Sequence, residues 1–480
     1  MNTLKEDCLR LRDELIALRR EFHRDPELGL HEYHTAARIE RELDKCGIPH
    51  ERIGGKTAVV ARLRGTGSGT GICVLRADID ALPIQETNDV PYRSETPGVM
   101  HACGHDAHTA CLLGAAKVLG AHRADFGGEV RFLFQPAEEI GQGARPLVAA
   151  HVLDGADRVF GLHTASDLPS GTVGLRPGCN NAAVDHFTVR IHGRSAHVST
   201  PQLGADALYI ASELVVALQA AVTRMTSPIA PVLIGVGKLS AGTAYNAVAE
   251  YAELEGTTRT LLPETRAHVR ASIEAAAEHI SVLFGGTAQV EWDDFAAPLL
   301  NDALACEEAA RAAASLGIPT TADRALSLSG DDFAEYLLHV KGAYAYLGTA
   351  APDKPNTCIS NHHGDFDIDE ETLPLGAALY AAYAAAVCRS EAARFQQFLR
   401  KRYDMKKLFS LLLCAVMVLS LVACGSKTDD NQTNDEPEST APELSGTMKV
   451  VATGDVYGPL FDAFTADTGV QVECLSMSSG

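Results

Sequence analysis

Met100-His-Ala-Cys-Gly-His-Asp-Ala-His108 is the stretch on which the fold and chemistry of this chain depend. It places one thiol, three imidazoles, a carboxylate and a glycine close together. Cys103 and His105 are two positions apart, and on a helix side chains at that spacing face apart. Both can therefore bind one ion only from an extended or turned backbone at Gly104. We predict a metal site here, followed by a helix over Thr109–Leu119.

Polar side chains also end the strands predicted around this stretch. Asp78 follows one buried apolar strand, Glu138 and Glu139 follow the strand Glu129–Phe134, and a further strand ends at His163. In open α/β sheets, functional groups collect at such strand ends. The pattern predicts an α/β catalytic domain whose polar residues converge on one site.

The candidate ligands combine a thiolate, imidazoles and carboxylates, as in sites for zinc, manganese, cobalt or nickel. They are Cys103, His105, Glu138, Glu139, His163 and His362. One tetrahedral ion takes fewer protein ligands than this, so we expect two divalent ions with a bridging ligand. Such a pair binds water as hydroxide and polarises a carbonyl, which suits hydrolysis. Glu139 is expected to be a ligand, and Glu138 the base that carries the water's proton to a leaving nitrogen.

Composition limits the class of protein. The 480 residues are enough for two or three folded units. A formal charge of -21 argues against a nucleic-acid partner, because phosphate binding needs a basic surface. The 12 cysteines contain no C-x-x-C pair, which favours reduced thiols and a cytoplasmic location for the enzyme portion. The first thirty residues show no export signal.

Residues 186–297 follow a different pattern from the segments 1–185 and 298–400, which we assign to the catalytic domain. The predicted elements are a strand at Phe187–His192, a helix at Ala205–Val222, strands at Val232–Leu239 and Tyr251–Thr258, a helix at Pro263–Leu283 and a strand at Ala288–Trp292. Each helix has a single apolar stripe. This order predicts an inserted two-layer α+β domain with both helices on one face of its sheet.

The composition changes again after Met405. Residues 405–426 resemble a bacterial lipoprotein signal with Cys424 as the lipidated residue, 427–447 resemble a disordered linker, and 448–480 resemble the truncated start of a solute-binding domain. A signal in mid-chain indicates two reading frames joined by an assembly error, a lost stop codon or a real fusion. We favour an artefact or chimera over a buried helix at 408–423. Membrane association would require the 405–424 segment to be real.

Motifs in one order over about residues 5–390 resemble the M20 metallopeptidase family. More narrowly, they are similar to its amidohydrolase branch of N-acyl-amino-acid, hippurate and indoleacetyl-amino-acid hydrolases. The motifs are Arg76-Ala-Asp-Ile-Asp-Ala-Leu-Pro83, Met100 to Thr109, Gln135-Pro-Ala-Glu-Glu139, Gly161-Leu-His163, Gly193-Arg-Ser-Ala-His197, Asn246, Gly256-Thr-Thr-Arg259 and His362-His-Gly-Asp-Phe366. The resemblance implies a zinc-peptidase-like domain with a mixed sheet, interrupted by a ferredoxin-like dimerisation domain, in a homodimer.

The resemblance also implies roles for single residues. The implied metal ligands are Cys103, His105, Glu139, His163 and His362. Glu138 would be the general base and Asp78 a carboxylate that orients the site. His197 would reach the oxyanion across a dimer, while Asn246 and Arg259 would hold the substrate's carboxylate, for which the arginine fork is suited.

Three positions depart from the family pattern. Gly364 stands in place of a proline, Ala107 in place of a glycine, and Asp331 in place of a glutamate. The last change is expected to move the far wall of the pocket. The choice of His362 over His363 depends on counting back from Phe366.

The resulting hypothesis is a metal-dependent amidohydrolase that cleaves N-acyl amino acids. Its alternatives within the enzyme class are an M20-type dipeptidase and an N-acetyl-diaminopimelate deacylase. A solute-binding lipoprotein, suggested by residues 405–480, is the alternative of another class.

Overall fold

The computed structural model describes residues 2–53 and 57–389, together with two short strands near the end of the chain. The chain divides into two compact units, residues 1–401 and residues 402–480.

The first unit alternates helices and strands over most of its length. Its described helices are α1 (Asn2–Arg10), α2 (Arg12–Arg24), α3 (Tyr33–Lys45), α4 (His105–Ala121), α5 (Ala144–Ala149), α6 (Ala207–Ala220), α7 (Pro263–Leu283), α8 (Ala303–Ser315), α9 (Ala334–Leu337) and α10 (Leu373–Val387). Its described strands are β1 (His50–Ile53), β2 (Ala58–Arg64), β3 (Ile72–Asp78), β4 (Glu129–Gln135), β5 (Arg158–Pro169), β6 (Val173–Gly174), β7 (Gly178–Asn181), β8 (Ala183–His192), β9 (Val232–Ala241), β10 (Tyr251–Thr260), β11 (Thr287–Ala296), β12 (Leu299–Asn301), β13 (Thr320–Thr321) and β14 (Gly342–Ala350).

The larger sheet has eight strands in the order β1-β2-β4-β3-β5-β14-β6-β13. The strands β4, β3, β5 and β14 run parallel to one another, whereas β2 pairs antiparallel with β4 and β6 pairs antiparallel with β14, so the sheet is mixed. Every residue of β4 is buried, as expected of a strand covered on both faces. The predicted α/β class is confirmed.

Helices α4 and α10 cover one face of this sheet and pack closely on each other. A β-carbon at Gly114 of α4 would lie 3.0 Å from Cβ of Ala377, and one at Gly376 of α10 would lie 2.7 Å from Sγ of Cys111. Both helices are buried around nearly their whole circumference. The small residues of α10 therefore allow the close approach that holds α4, and its first residue His105, against the sheet.

The second sheet is antiparallel, in the order β11-β8-β10-β9. Helices α6 and α7 bury one apolar stripe each against it, with Ile210, Leu214 and Leu218 on α6 and Ile273 on α7. All six elements lie within a few residues of their predicted positions. Ala207–Met225, which contains α6, is by length and composition apolar enough to cross a membrane, and it is the single such helix found among the described residues.

Two predicted boundaries of elements in or beside the larger sheet were wrong. Helix α4 begins at His105 instead of Thr109, because Gly104 adopts φ +88° and starts the helix among polar residues that carry no apolar pattern. Strand β5 continues to Pro169 beyond its predicted end at His163, because β14 stays paired with it along this extension.

In the second unit, β15 (Thr447–Ala452) pairs in parallel with β16 (Gln471–Ser476). The predicted signal at 405–426 and almost all of the predicted linker at 427–447 lie outside the described residues, as does most of the predicted solute-binding segment 448–480.

Candidate metal centre

Gly104 sets the relation between Cys103 and His105. It has φ +88°, and a β-carbon there would lie 2.4 Å from Oγ1 of Thr164. Only glycine fits a position that combines this conformation with such a close neighbour. The turn leaves Cys103 on the loop before α4 and His105 on its first residue.

One group of candidate ligands lies between this turn and β5. Sγ of Cys103 and ring nitrogens of His105 and His163 lie within 4.8 Å of one another, and Nε2 of His163 is 3.5 Å from the sulfur. Nδ1 of His163 is 2.7 Å from the Thr164 carbonyl oxygen, which can only accept a hydrogen bond. Its Nε2 is therefore left as the unprotonated nitrogen facing the thiol.

A second group shares the same sulfur. Cys103, Glu139 and His362 have ligand atoms within 4.8 Å of one another, and Oε2 of Glu139 is 3.4 Å from Nε2 of His362. His362 adopts φ +64° and donates its N–H to the Ala102 carbonyl at 2.8 Å. Nδ1 of His363 instead accepts the N–H of Asp365. The geometry therefore favours His362 over His363 as the candidate ligand.

The two groups together could hold two cations, and Cys103 belongs to both groups. Nε2 of His105 and Oε1 of Glu139 are buried without a hydrogen-bond partner among the described residues. Such orphaned atoms are costly unless something binds them. Burial raises the pKa of Cys103 to about 12, so the thiolate needs a cation nearby. The donor set of sulfur, imidazole and carboxylate suits borderline divalent ions.

Glu138 lies beside the two groups of candidate ligands and faces two further carboxylates. Its side chain is grouped with Asp331 and Asp332 on one side and with His105 and Glu139 on the other. The N–H of Asp332 is 3.4 Å from Oε1 of Glu138. Burial, reinforced by the charge of Asp331, raises the pKa of Glu138 well above its usual value. A carboxylate in this state binds a proton readily, as a general base must.

Asp78 is fully buried at the end of β3. It accepts hydrogen bonds from Nδ1 of His108 and from the guanidinium of Arg76, and its Oδ2 is 3.7 Å from Nε2 of His105. Burial disfavours its ionisation, yet Arg76 and the neighbouring histidines hold the pKa of Asp78 well below its usual range. The geometry puts an ionised carboxylate next to the candidate ligand His105.

Asp80 has a role that sequence reasoning did not assign. Its carbonyl oxygen is 2.9 Å from Nδ1 of His105, which leaves Nε2 of that ring to face the site. Its Oδ2 accepts the N–H of Glu139 at 2.9 Å. The signal available in the sequence was the Asp-x-Asp spacing with Asp78 at the end of a strand.

The predicted substrate residues do not all come together within one chain. His197 and Asn246 are exposed neighbours, since the N–H of Val198 donates to the Asn246 carbonyl at 3.2 Å. Arg259 is half-buried at the far end of β10, where it pairs with Val184. Along β10, Tyr251 at the other end and Arg259 are roughly 27 Å apart, at about 3.4 Å per residue.

The departures from the family pattern have local explanations at two positions. A β-carbon at Gly364 would lie 2.6 Å from the carbonyl oxygen of Gln85, so a proline would not fit without movement. Asp331 is buried and accepts the N–H of Phe333 at 2.8 Å. Ala107 is simply buried in the first turn of α4.

Comparison with known proteins agrees with this geometry. The model of peptidase family M20/M25/M40 matches residues 74–386. An N-acetyl-L-cysteine deacetylase of Bacillus subtilis is 42% identical over 376 residues, covering 77% of this chain and 88% of the relative. Thermostable carboxypeptidase 2 of Saccharolobus solfataricus is 36% identical, covering 79% of this chain and 97% of the relative.

A solved structure agrees as well. The YxeP protein of Bacillus subtilis, described as a dinuclear metal-binding peptidase of the M20 family, is 36% identical with a TM-score of 0.70. The match covers 79% of this chain and 99% of that protein. With the family model matching more than half of its residues, the chain belongs to peptidase family M20/M25/M40.

Proposed function

We propose that this chain is an amidohydrolase that uses two divalent ions to cleave the acyl amide bond of N-acyl amino acids. The observation that carries the proposal is the pair of ligand groups that share Cys103. The proposed ligands are Cys103, His105, Glu139, His163 and His362. Zinc, manganese, cobalt and nickel all suit this donor set.

When bound, such ions acidify a water molecule and polarise the amide carbonyl. The protein's own contribution begins with Glu138, which takes the water's proton and passes it to the leaving nitrogen. Its raised pKa suits both halves of this transfer. Asp80 orients the His105 ring by accepting a hydrogen bond from its Nδ1, and the Asp78 carboxylate lies 3.7 Å from its Nε2.

We infer that the substrate's free carboxylate is held by Arg259 and Asn246, and that His197 stabilises the oxyanion. His197 and Asn246 are exposed and lie far along the second sheet from Arg259. One pocket can use all three if His197 and Asn246 come from a partner subunit. We therefore propose a homodimer in which residues 186–297 form the dimerisation domain and 1–185 with 298–400 form the catalytic domain.

Thiols that are buried and free support a cytoplasmic location for the enzyme portion, as proposed from composition. We propose that residues 405–480 are not needed for catalysis, because residues 1–401 already form one compact unit with all candidate ligands.

The test is hydrolysis of a panel of N-acetyl, N-benzoyl and indoleacetyl amino acids by the purified protein, before and after a strong chelator. Activity should disappear with metal removal and return with added Zn²⁺, Mn²⁺, Co²⁺ or Ni²⁺. Full activity in metal-free protein, or no hydrolysis of any member of the panel, would contradict the proposal.

A second candidate is peptidase activity, favoured by the 36% identity to a carboxypeptidase. Dipeptides belong in the same panel for this reason. N-acetyl-diaminopimelate is included because its deacylase is the other alternative within the enzyme class. A higher kcat/KM for dipeptides than for every N-acyl amino acid would select the peptidase.

A further inference from the structure

Two strained residues share one buried carboxylate oxygen beside the metal centre. Among the described residues, four that are not glycine have a positive φ, and two of them are Leu30 (+68°) and Ala137 (+56°). The N–H of Leu30 donates to Oε1 of Glu32 at 3.0 Å, and that of Ala137 donates to the same oxygen at 2.9 Å. Glu32 is fully buried.

Ala137 immediately precedes the pair Glu138 and Glu139. The turn over these residues is held at two amides: Glu32 accepts the N–H of Ala137, and Asp80 accepts the N–H of Glu139. Glu138 lies between these two anchored peptides. The direction in which its side chain leaves the backbone is therefore set by hydrogen bonds on both sides.

The segment that carries Glu32 also lies against this turn. A β-carbon at Gly29 would be 3.2 Å from Cα of Ala137. A non-glycine residue keeps a left-handed conformation only where its surroundings hold it there. Without an acceptor for its N–H, Ala137 would relax toward negative φ and turn the following peptides with it.

We propose that Glu32 is a positioning residue, which holds Ala137 in its left-handed conformation and thereby aims Glu138 and Glu139 into the site. Glu32 itself touches no candidate metal ligand side chain. The inference rests on the proposed function, in which Glu138 is the base and Glu139 a ligand. The competing explanation is that Glu32 only stabilises the fold.

Oε1 of Glu32 accepts the N–H groups of both Leu30 and Ala137, so variants at these three residues can distinguish a positioning role from a purely stabilising one. Glu32→Met removes the acceptor but keeps the length of the side chain, and Glu32→Gln keeps an acceptor oxygen. Glycine adopts positive φ without strain, so Ala137→Gly and Leu30→Gly each relieve one of the two residues that Glu32 holds. Of the two residues, only Ala137 lies next to Glu138 and Glu139.

The variants are compared in the full-length protein by kcat, KM, thermal unfolding and affinity for Co²⁺, measured by competition with a chromophoric chelator. Glu32→Met should lower kcat and Co²⁺ affinity by roughly 10- to 100-fold, the usual effect of losing a group that supports a metal site, with KM little changed. Glu32→Gln should stay within a few-fold of the parent. Adding Ala137→Gly to Glu32→Met should recover kcat and Co²⁺ affinity, whereas adding Leu30→Gly should recover only thermal stability.

Equal recovery of kcat and Co²⁺ affinity by both glycine substitutions would overturn the inference, as would an unchanged kcat in Glu32→Met. Equal losses in Glu32→Gln and Glu32→Met would also overturn it, because an acceptor would then not be what matters. If Glu32→Met alone does not fold, the two double variants are compared directly. The Co²⁺ affinities need no substrate, so they remain informative if the parent protein hydrolyses no N-acyl amino acid and the proposed function fails.

Discussion

At the scale of single residues, two neighbouring glutamates face different groups. Glu139 lies with His362 and the Cys103 sulfur, whereas Glu138 lies between His105 on one side and the buried Asp331 and Asp332 on the other. Hydrogen bonds at Ala137 and Glu139 fix the turn that separates them. The proposed division into base and ligand depends on this turn.

Glu138→Gln should keep the bound metal and lower kcat by roughly 10² to 10⁴, the cost of losing a general base. The amide has nearly the same shape but cannot take up the proton. Metal content and kcat measured on the same preparation test this. Glu139→Gln is the matched variant and should lose metal as well as activity. Turnover that survives in Glu138→Gln would exclude Glu138 as the base.

The sequence was sufficient to propose five ligands that the structure arranges in two groups around Cys103. It was not sufficient to find Asp80 or Glu32. Those two carboxylates act by accepting backbone N–H groups of residues far away in the chain. Such roles depend on the path of the backbone, which no local motif records.

At the scale of elements, helix α4 connects the metal centre to the first helix of the chain. His105 lies at its start, and His122 follows its last residue. Nε2 of His122 is 2.7 Å from Oδ2 of Asp7 on α1, and its Nδ1 is 2.8 Å from Oδ2 of Asp125. The imidazole therefore ties the end of α4 to α1.

The His122 contact should make stability depend on pH. The hydrogen bond to Asp7 raises the pKa of His122, so its contribution is complete below about pH 6.5 and is lost as pH rises through the folded-state pKa. His122→Asn should lower the free energy of unfolding by up to about 1 kcal/mol at pH 5.5 and by little at pH 9. Urea denaturation at both values measures the difference. His151→Asn, at a side chain 79% exposed, is the control; a cost for His122→Asn that grows with pH would contradict the assignment.

The elements of the second sheet were predicted closely because β8, β10 and β11 alternate more buried with less buried residues and the two helices each carry one apolar stripe. The start of α4 was missed because three of the residues 105–108 are polar yet buried, and they hide the apolar pattern of a helix. The continuation of β5 past His163 was missed because it depends on pairing with β14, far along the chain.

At the scale of the whole molecule, the proposed pocket needs residues that one chain holds apart. Arg259 lies at one end of β10, and His197 with Asn246 lies beyond the other. The contact surface of a dimer depends on the folded shapes of both chains. The sequence could therefore supply this arrangement only through the family resemblance.

Mixed dimers test the arrangement. His197→Ala and Glu138→Gln should each be nearly inactive alone. If His197 acts on the partner's site, a mixed dimer has one pocket with both native residues. Co-expression in equal amounts should then restore about a quarter of the parent activity, since half of the dimers are mixed and each has one intact pocket. No recovery would place His197 in the pocket of its own subunit.

The position of β14 has a consequence for how the protein is made. This strand lies between β5 and β6, but about 180 residues separate it from its partner β5, and all of the second sheet is synthesised between them. At typical translation rates this interval lasts roughly 10 to 40 s. During that time the nascent chain exposes one edge of β5, next to Cys103 and His163. The growing polypeptide thus contains four of the five proposed ligands well before His362 is synthesised, and the group of Cys103, Glu139 and His362 is completed only after β14 has been made.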